Sequence, residues 1–276
     1  MSPMEARKLL SKIKATLKSE TVKKMIKEGY VFDGLIATGS AAASTTLLYK
    51  VIDILSYKAF CAKVYPWTNK NTFETEINAS NMIHKKSIIP QIVHYTQLSF
   101  CHSIDGSNGL GLLMPLYKMS LSEILQANHD TPVPWHHFTK IAKELLYAGH
   151  IFQSHGYAHC DIKPGNIMMN DDGSPVLIDL GAVTKLGQSC TEYTRFYFLD
   201  SKSNAVDSTF DLNCIIVTLV QCFLDEFNFK CTNRKDLKNI LAEQSGDLKK
   251  YADLCLKLLE LDSCEQGNAL NFTSDS

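Results

Sequence analysis

Asp161, Lys163 and Asn166 stand together in the segment His159-Cys160-Asp161-Ile162-Lys163-Pro164-Gly165-Asn166. A second carboxylate, Asp179, comes 18 residues after Asp161, behind the apolar run Val176-Leu177-Ile178 and before Leu180-Gly181. A carboxylate in a polar loop can orient an attacking hydroxyl and accept its proton. A cation two residues on can steady a moving phosphoryl group. Asn and Asp oxygens are hard donors that hold a divalent metal against phosphates. These residue types in this order fit phosphoryl transfer.

Such residues need elements to position them. Trp135 to Ser154 reads as a helix, with Ile141, Leu145, Leu146, Ile151 and Phe152 as its apolar stripe. Short strands are expected at Ile167–Asn170 and Val176–Ile178, and the rest of the second half reads as helical. The first half differs. Val31 to Val64 is rich in β-branched and aromatic residues separated by Gly and Ser, which predicts strands and turns. Phe73 to Lys85 reads as a helix. Ile92 to Tyr117 returns to strands, broken at Asp105-Gly106-Ser107-Asn108-Gly109. Leu121 to Ala127 reads as a short helix. Strands first and helices second predict an α+β protein with two lobes, divided in the turn-rich stretch from Met114 to Ser120.

The pattern HCDIKPGN followed by Asp179-Leu180-Gly181 resembles the H-R-D-x-K-x-x-N and D-F-G signatures of eukaryotic-type Ser/Thr protein kinases. The resemblance implies a bilobal kinase fold, with a strand-rich N-lobe and a helical C-lobe. It implies ATP and Mg²⁺ as cofactors and a protein substrate. Asp161 is then the base, Lys163 acts on the phosphate, and Asn166 and Asp179 hold the metal. Ala59-Phe60-Cys61-Ala62-Lys63-Val64 looks like the family's V-A-I-K strand, so Lys63 would pair with the α- and β-phosphates. Its carboxylate partner should come from the next helix, as Glu76 in preference to Glu74. Leu112-Leu113-Met114-Pro115-Leu116-Tyr117 resembles the strand and hinge that grip adenine, with Met114 as gatekeeper and Leu116 offering its backbone.

Departures from the family pattern are as informative. In Ile36-Ala37-Thr38-Gly39-Ser40-Ala41-Ala42, Gly39 is the one glycine left where three are expected; Ala37 and Gly39 are the phosphate-facing candidates. Asp211 is retained at the start of the family's buried helix, but Asn213, Cys214 and Ile216 replace the Trp, Ser and Gly that accompany it. Phe198-Leu199-Asp200 stands where A-P-E is expected, and Asp262-Ser263-Cys264-Glu265-Gln266 lacks the Arg that pairs with that Glu. Losing both members of a buried ion pair costs far less than stranding one. Cys160 replaces the Arg that gathers a phosphorylated activation segment, which makes this a non-RD type. Constitutive competence, or control by a partner, is the resulting expectation. Compact kinases with eroded helical-lobe motifs of this sort resemble those of large DNA viruses.

Composition bounds the rest. The chain has 276 residues and formal net charge −1, so no nucleic acid is expected as a partner through overall charge. Nine cysteines without a C-x-x-C pair, behind no recognisable signal peptide, predict reduced thiols and a cytoplasmic or nuclear location. The longest largely apolar run, Cys214 to Val220, is too short to span a bilayer, so no transmembrane segment is expected. The spacing of His150, His155, His159 and Cys160 matches no usual zinc site. Residues 1–30 hold eight Lys/Arg against three acids and read as a basic amphipathic helix open to a partner or membrane contact. The expected organisation is that segment (1–30), an N-lobe (31–114), a hinge (115–120) and a trimmed C-lobe (121–276). Two other functions share these motifs. One is a small-molecule phosphotransferase of the aminoglycoside-kinase kind, suggested by Pro164-Gly165-Asn166 and disfavoured by Lys163. The other is an ATP-binding pseudokinase scaffold, suggested by the eroded glycine loop.

Overall fold

The structure, a computed structural model, describes residues 29–38, 46–102, 108–129, 131–190, 193–197, 199, 205–224 and 233–261. The basic segment 1–28, Gly39 to Ala42, Phe198, Asp200 and 262–266 lie outside the described residues. The chain forms two compact units.

The first unit runs to Asn81 and takes in His94–Leu116. Five antiparallel strands, β1 (Tyr30–Thr38), β2 (Leu47–Asp53), β3 (Ala59–Pro66), β4 (Thr96–His102) and β5 (Asn108–Pro115), pair in the order β1-β2-β3-β5-β4. Strand alternation sends every second side chain to one face. Ala62 and Val64 of β3 therefore join Leu47, Val51, Leu98 and Leu113 in a buried cluster, with Phe60 packed against it. Cys61, Lys63 and Tyr65 point to the opposite face. Helix α1 spans Lys70–Ile83, beginning three residues before the Phe73 expected from its apolar pattern, because a 3-10 turn at Trp67–Asn69 leads directly into it.

The second unit comprises Met82–Val93 and everything from Tyr117. The division is therefore not a single cut, and hydrogen bonds show why Met82–Val93 belongs here. Ile92 bridges Leu177 in parallel, Val93 N–H donates to Leu177 O and Leu177 N–H to Gln91 O, each at 2.9 Å. His84 closes the segment on itself: its Nδ1 accepts the Ile89 amide at 3.0 Å, so Nε2 carries the proton and donates to Val93 O at 3.0 Å.

Five short strands follow or flank the helices: β6 (Met119–Ser120), β7 (Tyr157–Ala158), β8 (Ile167–Met169), β9 (Pro175–Leu177) and β10 (Thr184–Lys185) pair as β6-β8-β9 and β10-β7, with the Ile92 bridge at the edge of β9. Helix α2 (Leu121–Ala127) starts on a capping box, with Ser120 and Glu123 each bonding the other's backbone amide. Helix α3 (Trp135–Ser154) buries Ile141, Leu145, Leu146 and Phe152 as its periodicity predicts. Helix α4 (Phe210–Gln221) is buried on every side. It approaches α3 at Gly149, where a β-carbon would lie 3.2 Å from Ile215 Cδ1. Helices α5 (Arg234–Ala242) and α6 (Lys249–Glu260) complete the unit. Arg234 joins all three, donating to Asn213 Oδ1 of α4 at 2.8 Å and to Leu259 O of α6. No helix among the described residues is long and apolar enough to cross a membrane.

Candidate active site

In the first unit the candidate residues Lys63 and Glu76 form a buried ion pair. Lys63 stands on the α1-facing side of β3, and Phe73, Glu76, Ile77 and Ser80 form the buried stripe of α1 at helical spacing. Lys63 Nζ meets Glu76 Oε1 at 2.7 Å, with the Glu side chain fully buried and the Lys side chain 12% exposed. Glu74 lies off that stripe and makes an exposed i,i+4 pair with Lys70 at 3.3 Å instead. Helical period thus selects Glu76. Met114 is buried in β5 opposite Cys61, and Pro115 pairs with Phe60 at the strand's end, with Leu116 half-buried just beyond. Ala37 pairs with Leu48 at the end of β1; Gly39, its companion in the candidate phosphate loop, lies outside the described residues.

In the second unit a loop gathers the remaining candidates. Pro164 opens a 3-10 turn over Pro164–Asn166, and Asn166 N–H closes it on Lys163 O at 2.9 Å. The turn swings Asn166 back to Asp161, so a spacing of five residues becomes a contact. Asn166 Nδ2 donates to Asp161 O at 2.9 Å and to Asp161 Oδ2 at 2.8 Å. Lys163 Nζ donates to the same Oδ2 at 2.7 Å. Asp161 Oδ1 accepts the Thr194 hydroxyl at 2.7 Å and the Thr194 amide at 3.2 Å. Lys163 Nζ in turn donates to Thr194 Oγ1 at 2.8 Å. Thr194 lies 33 residues beyond Asp161, and no spacing rule links the two.

Three anchors hold this loop. His159 Nδ1 accepts the Asp161 amide at 3.2 Å, so the protonated Nε2 donates to Ile178 O at 3.1 Å. Ile178 N–H donates to Asn166 O at 2.9 Å. Those two bonds place Asp179, the next residue, which adopts a left-handed backbone with φ 64°. The third anchor is Asp211 in the first turn of α4, whose carboxylate accepts the His159 and Cys160 amides at 2.7 and 3.0 Å. Burial pushes the Asp211 carboxyl up, against the pull of His159 and of the two amides. Cys160 also has a left-handed backbone, φ 68°. A non-glycine residue there costs about 1–2 kcal/mol, and the two bonds to Asp211 hold it. The Cys160 thiol is buried and pushed far up, first by its hydrogen bond to Cys190 and then by burial. A buried neutral thiol, donating to Ala158 O at 3.6 Å, therefore occupies the position of the family's phosphate-gathering Arg.

The donor set suits a hard cation. Asn166 spends its amide nitrogen on Asp161, which leaves its oxygen as the atom with capacity for a metal, and Asp179 supplies a carboxylate. Among the described residues no group of three or more His, Cys, Asp or Glu could hold a metal alone. One carboxylate and one amide oxygen match Mg²⁺, which takes few protein ligands and fills the rest with waters and phosphates.

The protein kinase domain model matches residues 38–260, most of the chain. Over 187 residues the chain is 27% identical to mitogen-activated protein kinase kinase 1c of Physcomitrium patens, covering 60% of this chain and 53% of that protein. It is 35% identical over 104 residues to a probable casein kinase I homologue of Encephalitozoon cuniculi, covering 35% of this chain and 32% of that protein. Over 37 residues it is 51% identical to serine/threonine-protein kinase 16 of Mus musculus, covering 13% of this chain and 11% of that protein. The matched stretch thus spans about half the length of the first of these relatives and less of the others.

Proposed function

The chain belongs to the protein kinase family, and on that premise we propose that it is a Ser/Thr protein kinase that moves the γ-phosphoryl group of ATP to protein hydroxyls. The observation that carries this reading is the convergence of Lys163, Asn166 and Thr194 on the carboxylate of Asp161. Asp161 orients the substrate hydroxyl and accepts its proton. Lys163, two residues away and already bonded to that carboxylate, neutralises charge on the γ-phosphoryl group as it moves. Lys63, held by Glu76, binds the α- and β-phosphates. Asn166 and Asp179 would hold Mg²⁺, which when bound offsets phosphate charge. Met114 and Leu116 border the adenine, and Ala37 and Gly39 approach the phosphates. Lys163 at two residues past Asp161 is the Ser/Thr form of the loop, and Thr194 keeps that Lys beside the base.

Cys160 supports control by something other than a phosphate on the activation segment. A buried neutral thiol offers no cation to gather one. An intracellular setting suits the chain, since six cysteines among the described residues are buried and outside any disulfide.

The test is transfer from labelled ATP to a mixed protein pool, beside an Asp161→Asn control. Labelled protein, lost in the control, supports the proposal. Turnover only with small alcohols or aminoglycosides, or ATP binding with no turnover, overturns it.

A further inference from the structure

Tyr65 sits two residues beyond Lys63 in β3, so both side chains face α1 from the same side of the sheet. It is 1% exposed. Its ring meets Phe73 edge to face with centroids 5.8 Å apart, and Lys63 Nζ lies 5.2 Å from the centre of that ring. Its hydroxyl donates to Glu76 Oε1, the same oxygen that accepts Lys63 Nζ. Tyr65 thus grips α1 at two points, three residues apart.

We propose that Tyr65 is a positioning residue for ATP: it fastens Glu76 on the buried face of α1, and through Glu76 fixes where Lys63 presents its charge. This rests on the assignment of Lys63 to the nucleotide phosphates. A fully buried carboxylate needs donors, because water is not there to supply them. Lys63 alone would have to serve both Glu76 and the phosphates. A phenol adds a second donor that never leaves for the nucleotide. Being neutral, it keeps the net charge of the Lys–Glu pair at zero. It also does this within one strand and one helix, with no requirement for a modified activation segment.

The test uses the full chain and steady-state kinetics well below the melting temperature. Tyr65→Phe keeps the ring on Phe73 and removes only the hydroxyl. The expected result is about ten-fold lower kcat/KM for ATP with Mg²⁺, and an unchanged KM for the protein substrate, as befits one hydrogen bond to a charged group. General loosening of the fold would move both. Binding of a fluorescent ATP analogue supplies a cycle: Tyr65→Phe should change its Kd less than about two-fold when Glu76→Ala is already present. Phe73→Leu trims the ring contact and keeps the hydroxyl. It should lower Tm and leave ATP affinity within about two-fold. An ATP kcat/KM unchanged or raised in Tyr65→Phe, a full loss that persists beside Glu76→Ala, or an equal loss in Phe73→Leu each overturns the proposal. Lys63→Met separates the two levels. If it handles ATP as wild type does, the phosphate role of Lys63 fails and this inference with it. If it is impaired while Tyr65→Phe is not, only the role of Tyr65 fails.

Discussion

Lys63 reaches Glu76 across 13 residues, from a strand to a helix, and the carboxylate it meets is fully buried. Asp161 reaches Lys163 and Asn166 inside one loop, and its side chain remains 16% exposed, that of Lys163 29%. The first pair is held by regular structure and has one geometry. Removing either member strands a buried charge, at about 3–5 kcal/mol. The second is held by hydrogen bonds in an irregular loop, pinned from Asp211, Ile178 and Thr194. Rigid elements suit the binding role proposed for Lys63; a loop with water access and several donors suits the proton exchange proposed for Asp161.

Substitutions can break that comparison. The largest expected effect is from Asp161→Asn, with phosphotransfer falling about 10²–10⁴-fold, as removal of a general base does; single-turnover transfer from labelled ATP measures it. A drop of only a few-fold would make the loop a binding site like the Lys63 pair. Asp211→Ala comes next. It leaves two buried amides without their acceptor, at about 1–3 kcal/mol each, so urea unfolding should show a loss of about 2–6 kcal/mol. Stability unchanged to within about 0.5 kcal/mol would mean that α4 does not hold the loop.

Thr194→Val should lower kcat about ten-fold, the worth of one hydrogen bond of about 1 kcal/mol or slightly more. Thr194→Ser should restore most of it. Equal defects in Val and Ser would assign the effect to shape. The smallest effect concerns both units at alkaline pH. Burial pushes the Cys61 thiol up to about 11 in the first unit, and in the second the Cys222 thiol and the Tyr117 phenol to about 12. Raised folded values mean that the unfolded chain loses these protons first. Their stabilising effect is complete below the ordinary thiol value and lost as pH rises towards the folded one. Stability should therefore decline from about pH 9, by on the order of 1 kcal/mol per thiol at pH 10. Thermal melts between pH 8 and 10.5 would check this, and a flat profile would contradict the burial of these groups.

Legibility in the sequence followed the range of each interaction. Helices α2 and α3 were readable to their ends, since capping and apolar periodicity are local signals. The two-residue strands β6, β7 and β10 were not, because two residues cannot display a period of two. At the candidate site, Asp161, Lys163 and Asn166 were readable as a group because a proline-led turn converts their spacing into contact. Glu76 stood ahead of Glu74 through helical register. Tyr65 went unnoticed beside Lys63, where it looks like one more aromatic in a strand, although two-residue spacing on one face was a usable signal.

By itself the sequence determined the kinase motifs, the strand-then-helix order and the residues proposed to handle phosphate, all properties of type and short spacing. Only the tertiary structure decided that Thr194 and Asp211 serve the Asp161 loop, that Cys160 is a buried neutral thiol, that Met82–Val93 joins the second unit and that Tyr65 shares an acceptor with Lys63. The reason is physical. Hydrogen bonds between residues tens of positions apart depend on how helices and strands pack, and packing leaves no periodic mark on the chain.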